Sequence, residues 1–151
     1  MSINSKFARR SILALAAVAT VLVSVPAVSA NATSTTHFSV IAKGKAEGVG
    51  LGMMKGSVTA RFTANLAKNT LCYSITSHGV TGITGVHVHT GAAGVNGGVA
   101  VALDPTKIGL KGSTCVPVAA KVLADISANP SMYYFNAHTA KYPNGAVRGQ
   151  L

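Results

Sequence analysis

The feature that most constrains the fold of this chain is a period-two alternation of apolar and polar residues. SVTARFTANL puts Val58, Ala60, Phe62, Ala64 and Leu66 on one side, and TLCYSITS does the same for Leu71, Tyr73 and Ile75. An amphipathic helix needs apolar positions every three to four residues, so these stretches read as strands with one buried face. Ala67-Lys68-Asn69 between them is short enough for a hairpin. Further strands are predicted over residues 36–46, from Ile83 to Thr90, from Gly98 to Leu103, in MYYFNAHT and in AVRGQL. One segment breaks the pattern. In VPVAAKVLADISANP, Val118, Val122 and Ile126 fall at four-residue steps, Pro117 suits a first turn and Asn129-Pro130 stops the run, which predicts one short helix near 117–128. About seven or eight short strands with one helix predict an all-β, antiparallel, Greek-key-like sandwich or barrel of immunoglobulin-like type.

The first 30 residues are expected to lie outside that fold. Lys6, Arg9 and Arg10 precede an apolar run from Ile12 to Val25, and Val28-Ser29-Ala30 offers a small-residue cleavage site, so 1–30 reads as a signal peptide and 31–151 as a single domain. The apolar run is short and Pro-interrupted, so no integral membrane span is expected after cleavage. The chain is expected to be secreted or held in the cell envelope, in the periplasm or cell wall.

Export changes how the remaining residues are read. Cys72 and Cys115 are the only cysteines, and in an oxidising compartment they predict a disulfide. With Lys6, Arg9 and Arg10 in the leader, ten of the 13 basic residues stand against Glu47, Asp104 and Asp125, a balance of +7. That charge fits an unidentified extracellular protein or an anionic envelope polymer as partner. The lysines are scattered without interleaved aromatics, which argues against nucleic acid. EGVGLGMMKG, with its alternate glycines, is not followed by a helix pattern and reads as a bend, not as a phosphate cradle.

Two segments repeat each other weakly. His89-Thr90, Asn96-Gly97 and Val99 match His138-Thr139, Asn144-Gly145 and Val147, each a strand ending in His-Thr that turns through Asn-Gly into the next strand. HVHTGAAGVNGGVAVAL and ANPSMYYFNAHTAKYPNGAVRGQL together resemble the CHRD domain, first described in chordin and widespread in exported bacterial proteins. The residues that carry the likeness are His87 and His89, Gly94 with Asn96-Gly97, Tyr133-Tyr134, Asn136 with His138-Thr139, Pro143 with Gly145, and Arg148 to Leu151. The resemblance implies an immunoglobulin-like β architecture, an extracellular location and no established catalytic activity, and it supplies no ligand. Ala146 stands where many members carry an acidic residue, which leaves Arg148 without its nearest ion partner.

If Val86 and Val88 face the core, His87 and His89 share the opposite face; if Tyr133, Phe135 and Ala137 pack inward, Tyr134, Asn136 and His138 face out, as do Arg148 and Gln150 in the last strand. Were these strands neighbours, His87, His89, Asn136, His138 and Arg148 would form one polar patch. Its main expected role is to bind a ligand or to hydrogen-bond the backbone of the long loop from Thr90 to Gly97. Its alternative role is a copper or zinc site on His87, His89 and His138, since imidazole suits both metals. Arg148, a fixed cation, argues against the metal. His37 and His78 read as incidental surface residues. The three acidic residues lie far apart in sequence and none accompanies a His or Ser constellation, so no acid/base pair or nucleophile relay is visible. The expected function is that of a non-enzymatic extracellular binding or structural module without a cofactor, the metalloprotein being the alternative.

Overall fold

A computed structural model describes residues 35–48 and 51–151, so the expected signal peptide at 1–30 lies outside the described residues. Eight strands form: β1 (Thr35–Lys43), β2 (Ser57–Asn65), β3 (Thr70–His78), β4 (Ile83–Thr90), β5 (Val99–Leu103), β6 (Thr114–Pro117), β7 (Tyr133–Thr139) and β8 (Tyr142–Gln150). One helix, α1 (Ala120–Ala128), lies between β6 and β7. The strands make one antiparallel sheet in the order β5-β4-β7-β8-β1-β2-β3-β6. The sheet curls until it is nearly closed, so the barrel-like form of the predicted all-β fold holds and the immunoglobulin-like description is approximate.

The alternation read from the sequence decides which way each strand faces. Phe38, Phe62 and Tyr73 lie opposite one another across β1, β2 and β3, as do Val40, Ala60 and Ile75 in the next row. All but Phe38 are buried, and they join Val86, Val88, Phe135, Ala137 and Val147 from the other half of the sheet in one core. The predicted β2–β3 hairpin is present, with Asn69 in the left-handed region at φ 51° and the Asn65 side chain accepting from the Lys68 amide at 3.0 Å. The connection after β5 crosses to β3, where the Asp104 amide donates to the Tyr73 hydroxyl at 2.9 Å and the Gly109 amide to the Ile75 carbonyl at 2.8 Å. These two bonds link the segment after β5 to β3 near the other end of the sheet.

The helix begins later than the residue pattern predicts. Pro117 is the last residue of β6, paired with Thr70, and the Val118 amide donates to the Asn69 carbonyl at 2.9 Å, so the chain stays in strand pairing through 118. Pro117 loses nothing there, because an edge strand can present its N–H-less position outward. Leu123 and Ile126 supply the buried helix positions, and Asn129 ends the helix as predicted, its amide donating to the Asp125 carbonyl at 2.8 Å. Cys72 and Cys115 form the predicted disulfide across the directly paired strands β3 and β6. Among the described residues no helix is long and apolar enough to cross a membrane.

Candidate metal and ligand site

β7 lies between β4 and β8, and the register of these three strands assembles the site. On the face away from the core, His89, Tyr134 and Gln150 make one cross-strand row, and His87, Asn136 and Arg148 make the next. In the row beyond, His138 lies opposite Gly85. A Cβ at Gly85 would come within 3.3 Å of the His87 ring and 3.7 Å of the His138 ring, so this glycine leaves the space the two imidazoles occupy. The predicted polar patch of His87, His89, Asn136, His138 and Arg148 is therefore one contiguous surface.

The three rings stand close, with centroids 5.0 Å apart for His87 and His138, 5.5 Å for His87 and His89, and 6.1 Å for His89 and His138. One nitrogen from each lies within 4.8 Å of the others. Two of the three rings are oriented by backbone. His89 Nδ1 bonds the Gly97 carbonyl at 3.1 Å, and His138 Nδ1 bonds the Pro143 carbonyl at 2.9 Å. A carbonyl oxygen only accepts, so each Nδ1 carries the proton and each Nε2 keeps its lone pair. His89 Nε2, His138 Nε2 and His87 Nδ1 are buried without a partner among the described residues. The weak sequence repeat thus has a structural counterpart, since in both halves the His of a His-Thr pair bonds a carbonyl of the chain that returns after its strand, Gly97 in the loop and Pro143 at the start of β8. Burial lowers the pKa of His87 and of His89, and their charged neighbours add to it, although the Gly97 carbonyl opposes the shift at His89.

Arg148 is 4% exposed and serves the loop role expected of the patch. Its guanidinium donates to Asn96 Oδ1 at 2.9 Å and to the Ala92 and Val95 carbonyls at 3.0 and 2.7 Å, while its Cζ lies 3.4 Å over the Tyr134 ring. His89 stacks on that same ring at 4.9 Å. Gln150 adds a bond to the Gly91 carbonyl at 2.7 Å. The loop between β4 and β5 is pegged at both ends of its turn, and the cationic head of Arg148 is directed into loop oxygens. No carboxylate makes an ion pair with Arg148 among the described residues, in keeping with Ala146.

Sequence reasoning missed Glu47. The short 3-10 turn Gly44–Glu47 after β1 carries it onto the patch, where Asn136 Nδ2 donates to Glu47 Oε1 at 2.5 Å. Gly145 makes room for it: at φ 141° a Cβ there would overlap the Glu47 carboxyl. The Gly-rich segment beyond Glu47 is docked on β8 by the Met53 amide, which donates to the Ala146 carbonyl at 2.7 Å. Burial pushes the Glu47 carboxyl up to about 7, and Arg148 counteracts the rise only in part. The signal available in the sequence was a lone acid among alternate glycines in a chain with three acidic residues. A cleft of about 630 Å³ opens beside the histidines, lined by Glu47, His89, Tyr134, Asn136, Lys141 and Tyr142 among others. His37 and His78 are exposed, and the His37 ring bonds the Thr63 hydroxyl at 3.0 Å, away from this site. Asp104 caps its own turn by accepting from the Thr106 amide, and Asp125 accepts from the Tyr133 hydroxyl, so neither reaches the patch.

A curled antiparallel sheet that presents three imidazoles beneath an arginine-pegged loop defines a small β-barrel-like domain. The chain belongs to the CHRD domain family, whose model matches residues 38–151. Membership suggests a binding or structural module of extracellular type, and the disulfide is compatible with that location. No curated protein and no solved structure gives a significant match.

Proposed function

We propose that this chain is an exported, non-enzymatic binding module that holds one copper or zinc ion on His87, His89 and His138. The observation that carries the reading is the pair of Nδ1 bonds from His89 and His138 to the Gly97 and Pro143 carbonyls. Second contacts of this kind fix the tautomer of metal-bound histidines, aim the other nitrogen and raise its basicity. Metals bind neutral imidazole, and the lowered pKa values of His87 and His89 keep that form dominant at neutral pH. Nitrogens bound to one tetrahedral ion at ~2.0–2.1 Å are ~3.4 Å apart, so the rings need to close by no more than about 1.4 Å from their present spacing. An all-imidazole set favours Cu²⁺ over Zn²⁺ at equal availability. Arg148, which argued against a cation in the sequence, keeps its charge but directs its N–H donors at loop oxygens, and structural bonding and metal binding use different nitrogens of the His89 and His138 rings.

The test is elemental analysis and calorimetric titration of metal-free protein with Cu²⁺ and Zn²⁺, alongside the His87→Ala/His89→Ala variant. One ion per chain at micromolar supply, lost in the variant, is the expected result. Wild-type protein that takes up neither metal at that concentration refutes the proposal.

A further inference from the structure

His87, His89 and His138 all reach the site from one face of one sheet, so every nitrogen approaches from the same side. The three imidazoles by themselves therefore leave the opposite side of a bound ion uncovered. His89 belongs both to the cluster and to the wall of the 630 Å³ cleft, so the uncovered side and the cleft adjoin. Two further groups line the cleft. Asn136 is 3% exposed, and its Oδ1 is buried with no partner among the described residues, whereas its Nδ2 is anchored by Glu47. A buried amide oxygen left unpaired is costly, and a hydrogen-bond donor placed in the cleft would remove that cost. Glu47 is not one of the three groups whose ligand atoms all lie within 4.8 Å of one another, and its contact with the site is the bond it accepts from Asn136 Nδ2.

We propose that the metal position is open on its cleft side and takes a small protic donor as fourth ligand, a water molecule in the resting protein, whose hydrogen is accepted by Asn136 Oδ1 while Glu47 holds the Asn136 amide in place. This rests on the three-histidine reading above. Three protein nitrogens with one exchangeable position distinguish such a centre from a closed structural site, in which the protein supplies all four ligands. A small anion can then displace the water, and the Asn136 bond sets how readily it does so.

The experiment uses the Cu²⁺-loaded protein with azide as probe, followed by the azide-to-copper absorption band and by electron paramagnetic resonance, with copper content measured in every sample. Azide has no hydrogen to give Asn136 Oδ1. Removing that acceptor in Asn136→Leu weakens the water and not the azide, so azide affinity is expected to rise about three- to tenfold, the equivalent of one hydrogen bond. Glu47→Ala, which releases the Asn136 amide without touching the sheet, is expected to shift affinity in the same direction and covers the case in which Asn136→Leu fails to fold. Saturable 1:1 azide binding with tighter binding in either variant supports the proposal. Copper retained at one per chain with no azide band overturns it and leaves the metal reading intact, whereas protein that takes up neither copper nor zinc overturns the metal reading itself. Azide affinity unchanged in both variants overturns the role of Asn136.

Discussion

Replacing Glu47 by Gln in the metal-free protein tests the most specific electrostatic claim made by the structure. Glu47 is held against the sheet with its carboxyl raised from an ordinary value of 4.5 to about 7 by burial. A carboxyl whose folded pKa is raised binds protons more tightly when folded, so the native state loses stability as pH rises from 4.5 to about 7. At ~1.36 kcal/mol per pH unit the interval from 4.5 to about 7 corresponds to at most ~3.4 kcal/mol; partial exposure and solvent screening reduce this to roughly 1–2 kcal/mol. Gln keeps the acceptor oxygen for Asn136 Nδ2 and cannot ionise. The two proteins should therefore match below pH 4.5, and the variant should gain roughly 1–2 kcal/mol over wild type by pH 8, about 3–8 °C in Tm. His87 and His89 work in the opposite direction. Their pKa values are lowered by folding, so their contribution is present above 6.5 and is lost as pH falls below it. Both proteins contain them, so the difference between urea unfolding curves at a series of pH values isolates Glu47. A stability difference that stays flat from pH 4.5 to 8 would refute the claim that this carboxyl is buried against its own charge.

The other predictions concern the loop and the edge strand. Removing the disulfide with Cys72→Ala/Cys115→Ala opens a cross-link with a sequence separation of 43, which the loop-entropy relation places at ~4 kcal/mol. Urea unfolding should show that loss, and a change below ~1 kcal/mol would mean that β6 is held by its ladder alone. Arg148→Met removes the donors to Asn96, Ala92 and Val95 while keeping an apolar side chain on Tyr134. A loss of about 2–3 kcal/mol is expected, with faster amide exchange confined to Gly91–Gly98; protection unchanged in that loop would show that Gln150 and the Thr90–Gly98 bond suffice to hold it.

The alternation of side chains by itself determined most of this molecule's layout. A strand's period of two is strict, so choosing Val86, Val88, Phe135, Ala137 and Val147 as core automatically sends His87, His89, Asn136, His138 and Arg148 to the other face. The β2–β3 hairpin, the helix stop at Asn129 and the Cys72–Cys115 link were legible for the same reason, since each depends on local pattern or on a count. What only the tertiary structure decided are contacts between segments far apart in the chain. Whether β4, β7 and β8 are neighbours is a matter of sheet order, and without that order His89 and His138 are merely matching positions of a weak repeat. The partner of Asn136 lies 89 residues away in Glu47, and Arg148 finds the loop carbonyl of Ala92 at a separation of 56. Pro117 looked like a helix start because its missing N–H suits a first turn, yet an edge strand tolerates the same lack, and the Asn69 carbonyl decided between them. The choice of imidazole nitrogen at His89 and His138 was decided in the same way, by the Gly97 carbonyl of the loop and the Pro143 carbonyl at the start of β8. Local pattern dictates which way a side chain faces, and only chain packing dictates what it meets there.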